Sequence, residues 1–188
     1  MDNQTKKPYD AWIQAVGTII SAIGSTPSNR IKKELQNDLN LWGNVLQGTG
    51  NALSADGEAG ESLEKVGNQI QAIGNSSVVA GIMIEFNEET GQKFIITGNW
   101  LQALGGVTAL GEELQGPSSP SQSYNIIGNL LQSIGNSLQA IAGIYELEKS
   151  AQNIKSPKGQ RNSLSLEVNG SWIQAVGSVI SLIGQTKE

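Results

Sequence analysis

Aliphatic residues recur along the chain with a seven-residue rhythm, and each repeat carries a glycine. Two or three apolar positions per seven residues are typical of helices and not of strands. The pattern therefore predicts an all-α chain. Six segments align without gaps, and in all of them the fourth residue is Gln and the seventh is Gly: 11–17 (AWIQAVG), 44–50 (NVLQGTG), 68–74 (NQIQAIG), 99–105 (NWLQALG), 129–135 (NLLQSIG) and 171–177 (SWIQAVG).

Clusters of Gly, Pro and polar residues between the repeats indicate where the helices end. We expect about six helices joined by short loops, which is typical of an antiparallel bundle. Thr26 is expected to cap the second helix, with Pro27 in its first turn. Breaks are predicted at four further places: a segment at 51–60 that ends the second helix, a turn at 86–91, a loop at 116–120 and a polar linker at 155–162. A single domain over 1–188 would then consist of three hairpins, at about 9–57, 60–116 and 122–186.

The repeated glycines predict close approach between helices. On a helical wheel, Gly67, Ile70, Ile73 and Gly74 fall on one side of their helix. Glycine inside a helix costs about 1 kcal/mol relative to alanine, so its repetition is expected where a facing helix must come near. We therefore expect a mostly aliphatic core bordered by a glycine groove. The predicted helix-packing residues are Gly17, Gly24, Gly43, Gly50, Gly67, Gly74, Gly98, Gly105, Gly128, Gly135, Gly170, Gly177 and Gly184.

The repeated glutamine beside the groove has two interpretations. It is either a good helix former at a half-exposed position, or one member of a ladder of amide hydrogen bonds between helices. The ladder would fix the register of helices that pack too closely for shape alone to specify it. The candidates for interhelical hydrogen bonds are Gln14, Gln47, Gln71, Gln102, Gln132 and Gln174.

Tryptophan recurs at one repeat position, two residues before the common Gln, in Trp12, Trp100 and Trp172. These side chains either anchor the core or a seam between helices, or lie partly exposed at a subunit interface, where Trp often dominates binding. The first and last repeats are nearly identical, because Trp12–Thr26 and Trp172–Thr186 match at 11 of 15 positions. These two helices could close a ring within one chain, or dock between chains and propagate a filament or layer. Trp12 and Trp172 are therefore candidates for self-association.

The composition provides little catalytic chemistry. The chain has no Cys and no His, so it offers no thiolate, no imidazole base and no imidazole metal ligand. Its Gly-rich strings follow no predicted strand and lack the Lys of a phosphate-binding loop. We expect no catalytic residue, no metal site, no cofactor and no enzymatic activity. The net charge of −5 argues against a nucleic-acid partner, which favours a basic face.

A membrane is an alternative partner that the sequence does not favour. Charge-free stretches of bilayer-spanning length occur, and regularly spaced Gly also brings transmembrane helices together. Each stretch nevertheless contains several Asn, Gln, Ser or Thr residues, and the mean hydropathy is −0.21. A bundle that rearranges into a pore, with Asn and Gln lining water, is kept as an alternative. The stretches lie at 11–29, 66–84, 94–111, 114–145 and 168–186.

Several motifs carry a resemblance to a known family: AWIQAVG, LWGNVLQ, ITGNWLQALGG, YNIIGNLLQSIGNSLQAI and SWIQAVGSVISLIG. On these motifs the chain resembles an uncharacterised family of repetitive proteins from spore-forming Bacillus-type bacteria, over nearly all of its length from about Trp12 to Gly184. The resemblance implies a repeat architecture and a bacterial source, and it carries no activity over to any residue.

The expected function is structural. We expect self-assembly into an ordered oligomer, fibre or layer, with the chain itself as its partner. A membrane-active pore former and a partner-binding adaptor are the alternatives. The N-terminal segment stays polar until Ala11 and lacks the apolar region of a secretory signal. The expected location is therefore cytoplasmic, with spore association or release by lysis as further options.

Overall fold

The structure, a computed structural model, describes residues 3–115, 119–152 and 157–187. The predicted all-α fold is confirmed, and no strand occurs in these three ranges. The described residues form six α-helices: α1 (Asn3–Ser25), α2 (Lys33–Gly57), α3 (Leu63–Met83), α4 (Glu88–Glu113), α5 (Pro120–Gln152) and α6 (Pro157–Gln185).

The helices form a closed ring. Each helix packs against the helix before it and the helix after it, and α6 also packs against α1. Within the described ranges, no helix backbone contacts one from across the ring. The Thr18 and Ser178 hydroxyl oxygens lie 2.5 Å apart where α1 meets α6. Trp172 Nε1 donates a hydrogen bond to Thr26 Oγ1 at 2.9 Å in the same seam. The two similar terminal helices thus meet within one chain.

Neighbouring helices in each hairpin run in opposite directions. A Cβ placed on Gly17 would lie 2.7 Å from the Gly43 carbonyl oxygen, and one placed on Gly50 would lie 2.7 Å from the Asp10 carbonyl oxygen. Residue numbers therefore fall along α2 as they rise along α1. The other two hairpins have the same arrangement. Gly67 faces Gly105 and Gly74 faces Gly98 between α3 and α4, and Gly128 faces Gly177 and Gly135 faces Gly170 between α5 and α6.

Several helix ends differ from the prediction. Helix α2 begins at Lys33, so the prediction that Thr26 caps it and Pro27 starts it is wrong. The Thr26 hydroxyl instead donates to the Ala22 carbonyl oxygen in the last turn of α1. Helix α6 begins at Pro157, a residue type favoured in the first turn, so residues 157–162 of the predicted linker are helical.

The remaining breaks are shorter than predicted. Helix α2 continues to Gly57, so most of the segment at 51–60 that was expected to end it is helical. The expected turn at 86–91 contains fewer residues than predicted, because α4 already starts at Glu88. The Asn87 side chain caps this helix by accepting a hydrogen bond from the Thr90 amide. In the expected loop at 116–120, residues 116–118 lie outside the described part of the chain, and α5 begins at Pro120. Residues 155 and 156 of the expected linker also lie outside it.

Ring closure within one chain predicts an intramolecular crosslink. A Thr18→Cys, Ser178→Cys double variant would place two sulfurs where hydroxyl oxygens now lie 2.5 Å apart. Because the natural chain has no Cys, only this pair can react. We expect oxidation to give a monomeric species with altered mobility on a non-reducing gel. Crosslinked dimers and larger species would instead show that α1 and α6 meet between chains. The Thr18→Cys single variant is the control for random collision.

Candidate functional site

The interior of the ring is polar. The largest side chains with under 2% exposure include Asn75, Asn136 and Thr18, and the buried apolar residues are mostly alanines. The predicted aliphatic core is therefore wrong. Gln71 is 4% exposed, whereas Ile73 on the same helix is 61% exposed. The helices thus turn their amides inward and their larger aliphatic side chains outward.

Four glutamine side chains meet inside the ring, and we call Gln47, Gln102, Gln139 and Gln174 the amide core. Gln174 Nε2 donates to Gln47 Oε1 at 2.7 Å and to Gln102 Oε1 at 3.3 Å. Gln139 Nε2 donates to Gln174 Oε1 at 3.0 Å. Helices α2, α4 and α6 carry Gln47, Gln102 and Gln174 and do not contact one another through their backbones. Gln174 therefore joins helices across the ring.

The other predicted glutamines lie along the seams or inside the ring. Gln14 is half-buried and donates to Asn51 Oδ1 at 2.6 Å between α1 and α2. Gln132 is buried and its Nε2 lies 3.3 Å from Ser181 Oγ between α5 and α6. Gln71 is also buried. Gln139 was missed by the sequence reasoning, although it follows Gln132 by the same seven-residue interval.

The predicted helix-packing glycines lie at close contacts between neighbouring helices. A Cβ on Gly98 would lie 2.5 Å from the Gly74 carbonyl oxygen, and one on Gly135 would lie 2.5 Å from that of Gly170. Real Cβ atoms do not come this near to backbone, so only glycine fits there. Facing partners are Gly17 with Gly43, Gly24 with Gln36 and Asn40, Gly50 with Asp10 and Gln14, Gly67 with Gly105, Gly74 with Gly98, Gly128 with Gly177, Gly135 with Gly170, and Gly184 with Tyr124 and Asn125.

Exposed apolar side chains occur all around the ring. Each of the six helices exposes large apolar side chains to the outside. The tryptophans belong to this surface, being between 41% and 60% exposed, so their interpretation as core anchors is wrong. Trp172 nevertheless contacts the seam between α1 and α6, through its hydrogen bond to Thr26. We call the following residues the apolar belt: Trp12, Val16, Trp42, Ile73, Trp100, Leu104, Val107, Leu130, Ile134, Trp172 and Val176.

The belt lies in a zone without charged residues. Five of the six helices carry a charge-free segment of about 15–18 residues, which spans roughly 22–27 Å at about 1.5 Å per residue, and the segment in α5 is longer. Asp, Glu, Lys and Arg lie beyond these segments, towards the two ends of the ring. The charge-free segments are 11–25, 39–55, 66–83, 94–111, 120–145 and 168–185.

Each end of the ring carries carboxylates around a cavity. At the first end, where α1 begins and α6 ends, a cavity of about 30 Å³ is lined by side chains from the whole ring: Asp10, Ser54, Glu58, Glu64, Glu113, Asn125 and Gln185. At the second end, a cavity of about 390 Å³ lies between α1, α2, α5 and α6, with Lys33, Asn40, Glu146 and Glu167 in its lining.

Two carboxylates at the second end have pKa values shifted in opposite directions. Burial, followed by the charge of Glu146, raises the pKa of Glu167. Burial also opposes ionisation of Glu146, but hydrogen bonds from Ser163 and Lys149 and the Lys149 charge outweigh it and lower the pKa of Glu146. Lys33 from α2 lines the same cavity.

Removing the Glu167 charge is expected to stabilise the ring near neutral pH. A raised folded-state pKa means that the folded protein holds this proton more tightly, so stability falls as pH rises from the ordinary Glu pKa through the raised value. Glu167→Gln should therefore raise the free energy of unfolding near neutral pH and leave it unchanged well below the ordinary Glu pKa. Urea unfolding at both pH values measures this. Glu148→Gln, on an exposed part of α5, is the control. An equal gain at both pH values would contradict the electrostatic cause.

Two features of the described helices bear on the remaining functional classes. None of the helices is long and apolar enough, over its described residues, to cross a membrane. No group of three or more Asp or Glu side chains in the described ranges is placed to hold a metal ion.

Comparison with protein families gives one finding. A model of a family of unknown function, DUF6944, matches residues 5–182. Neither the curated proteins nor the solved structures contain a match to this chain.

Proposed function

We propose that this chain, which belongs to the DUF6944 family of proteins of unknown function, is a non-enzymatic, membrane-active protein that enters a lipid bilayer as an intact six-helix ring. The observation that carries the proposal is the inverted polarity of the ring. Amides such as Gln71 and Gln174 are buried, whereas Ile73 and Leu104 face outward. Such an arrangement suits a solvent that is less polar than the interior of the protein.

The apolar belt is expected to have a partner that shields it from water. A lipid bilayer would surround the ring and shield the belt on all six helices. Large contiguous apolar patches on a protein surface mark sites of contact with proteins or membranes. The belt is not confined to one side, because all six helices contribute to it. Its charge-free height of roughly 22–27 Å is close to the hydrocarbon thickness of a thin bilayer, about 27 Å. Charged side chains at both ends would then lie among the headgroups.

Two hydroxyls on the outer face of the ring are satisfied in the way that a bilayer requires. Hydrocarbon cannot accept or donate hydrogen bonds, so backbone and side-chain polar groups must find partners inside the protein. The outward hydroxyls of Thr49 and Ser76 donate to carbonyl oxygens four residues earlier, at 2.8 and 2.9 Å. The mean hydropathy of a whole helix averages its apolar outer face with its inner amide face. It is therefore lower than the hydropathy of the outer face alone. Only the outer face would contact lipid if the ring enters already assembled.

Aromatic residues near the two borders of the belt support the same proposal. Trp and Tyr favour the interface between hydrocarbon and headgroups. Tyr9 and Trp12 lie near the first end, and Trp172 and Tyr145 lie near the second; all four are exposed.

Flotation with liposomes tests the proposed function. The purified protein is mixed with neutral phosphatidylcholine vesicles and centrifuged through a density gradient, and Trp fluorescence is then measured with lipids brominated at different acyl depths. We expect the protein to float with the vesicles and the exposed tryptophans to be quenched by acyl-chain bromine. Protein that stays at the bottom of the gradient, with unquenched fluorescence, would overturn the proposal.

Side-by-side self-assembly is the second candidate function. It is favoured by the apolar side chains that the belt exposes on all six helices. Neighbouring rings in a layer would bury the belt against one another. The seam between α1 and α6 is already occupied within the chain, so assembly would use the outer faces instead. Negative-stain electron microscopy and light-scattering mass across a concentration series, without lipid, would detect it as regular sheets or filaments. Monodisperse protein at every concentration would exclude it.

We also propose that the chain has a bacterial source. The regular Gly and Gln positions along all six helices support the view that this family is the repetitive one from spore-forming Bacillus-type bacteria.

A further inference from the structure

We infer that the axis of the ring is a closed permeation path for small uncharged polar solutes such as water and urea, and that Gln174 forms its constriction. The inference rests on the proposed function, because a path across a membrane requires that the ring lies in one. It assigns a solute class to the interior, which neither the family nor the belt specifies.

The path is defined by the two end cavities and the amide core between them. All six helices or their caps line the small cavity at the first end, so this cavity lies on the ring axis. The cavity at the second end is lined by residues of α1, α2, α5 and α6, among them Glu146 and Glu167. Between the cavities, Gln174 bonds to glutamines of α2, α4 and α5. These bonds cross the axis and close it.

Buried amide atoms without partners indicate what the interior would accept. Gln102 Nε2, Asn75 Oδ1 and Asn136 Oδ1 are buried and have no hydrogen-bond partner in the described part of the chain. Leaving such groups unpaired in a protein interior is unfavourable, because each has lost its hydrogen bonds to water. Small molecules that carry both donors and acceptors could bond to the Gln102 donor and to the Asn acceptors at their separate positions, and water and urea both have that chemistry.

The lining favours uncharged solutes over ions. Between the end cavities the charge-free segments of all six helices contain no Asp, Glu, Lys or Arg, so an ion in the central part of the axis would meet only neutral amides and hydroxyls. Exchanging a full hydration shell for such partners is expensive for a charged species and nearly neutral for a hydrogen-bonding molecule without charge. Carboxylates at both ends would also repel anions.

Shortening Gln174 is expected to open the path. Gln174→Ala removes the amide that bonds to Gln47, Gln102 and Gln139 and leaves their polar groups free for solute. Gln174→Asn keeps an amide on a shorter side chain and should give a permeability between those of the natural protein and Gln174→Ala. If the alanine variant fails to fold, Gln174→Asn provides the test in its place. The matched control is Gln69→Ala, because Gln69 lies on the exposed face of α3. Circular dichroism and flotation come first, and establish folding and insertion for each protein.

Permeability is then measured on proteoliposomes by stopped-flow light scattering for water and urea, and by ion-sensitive dyes for K⁺ and Cl⁻. We expect water and urea permeability several-fold above wild type for Gln174→Ala, no change for Gln69→Ala, and no ion flux. Inserted Gln174 variants with wild-type permeability would overturn the inference while the proposed function stands. Opening to K⁺ as readily as to urea would overturn the solute class. Failure of the wild-type protein to float would overturn both proposals.

Discussion

Replacement of Gly17 by leucine is expected to destabilise the ring by about 3 kcal/mol or more, at the upper end of the range for overpacked interiors. Any side chain at this position would meet the Gly43 carbonyl oxygen at 2.7 Å and the Gln47 amide nitrogen at 2.8 Å. Both are backbone atoms, so neither can rotate away. The helices of the first hairpin would have to separate, and the Gln47 contact of the amide core would be lost with them. Urea unfolding followed by circular dichroism measures the change.

Gly57→Leu is the matched control for this experiment. Gly57 lies in the last turn of α2, and a Cβ placed there meets nothing within 4 Å. Because leucine is the better helix former, this variant should be as stable as the natural protein or slightly more so. Equal loss of stability in the Gly17 and Gly57 variants would contradict the close approach of α1 and α2.

A single charge in the middle of the belt is expected to abolish most membrane binding. Leu104 is 54% exposed on α4 and lies within the charge-free zone. Leu104→Asp would place a carboxylate in the hydrocarbon, at a cost of about 2.5–3.5 kcal/mol, or about a hundredfold loss in partitioning. The measurement is the fraction of protein that floats with neutral vesicles as the lipid concentration is varied.

The control for the belt charge is the same substitution on another leucine of similar exposure. Leu35 is 51% exposed and lies between Glu34 and Asp38 near the second end, outside the belt. Leu35→Asp should leave flotation unchanged. Self-assembly through the belt predicts that Leu104→Asp also disperses any ordered assemblies formed without lipid. If both variants float as well as the natural protein, lipid does not cover the belt.

The positions of the glycines and glutamines could be predicted from the sequence, because a seven-residue repeat fixes them on one side of a helix whatever surrounds it. The existence of six helices follows from the same repeat. The repeat also predicted that Gly67 and Gly74 share a face, and both are buried. Register and helix number thus depend on local periodicity, which a single sequence contains.

The direction in which each face points could not be predicted in this way. Ile73 was expected inside and Gln71 at the border, on the rule that apolar side chains form the core. In the ring, Gly74 brings backbones together so closely that little volume remains for Ile73 at the contact. The amide of Gln71 takes the interior instead, where neighbouring polar groups surround it. Which face turns inward depends on the solvent around the protein, and the repeat does not specify that solvent.

Helix ends were predicted least well, for two different physical reasons. Pro27 precedes a polar segment that stays non-helical up to Lys32, so a proline signal alone did not locate the start of α2. Pro157 does start a helix, because the residues after it tolerate helical geometry despite their polarity. Polarity marks exposure, and exposure is compatible with both a loop and a helix.

The facing glycines of α3 and α4 limit how the helices of related chains can differ in length. Gly67, Gly74 and Gly81 are seven residues apart and face Gly105, Gly98 and Gly91. Inserting one heptad into both helices adds a further glycine pair and preserves every existing one. Inserting or deleting one residue would instead bring side chains against backbone at each later contact. Relatives of this chain should therefore differ in height by whole steps of about 10.5 Å, with the cross-section of the ring unchanged.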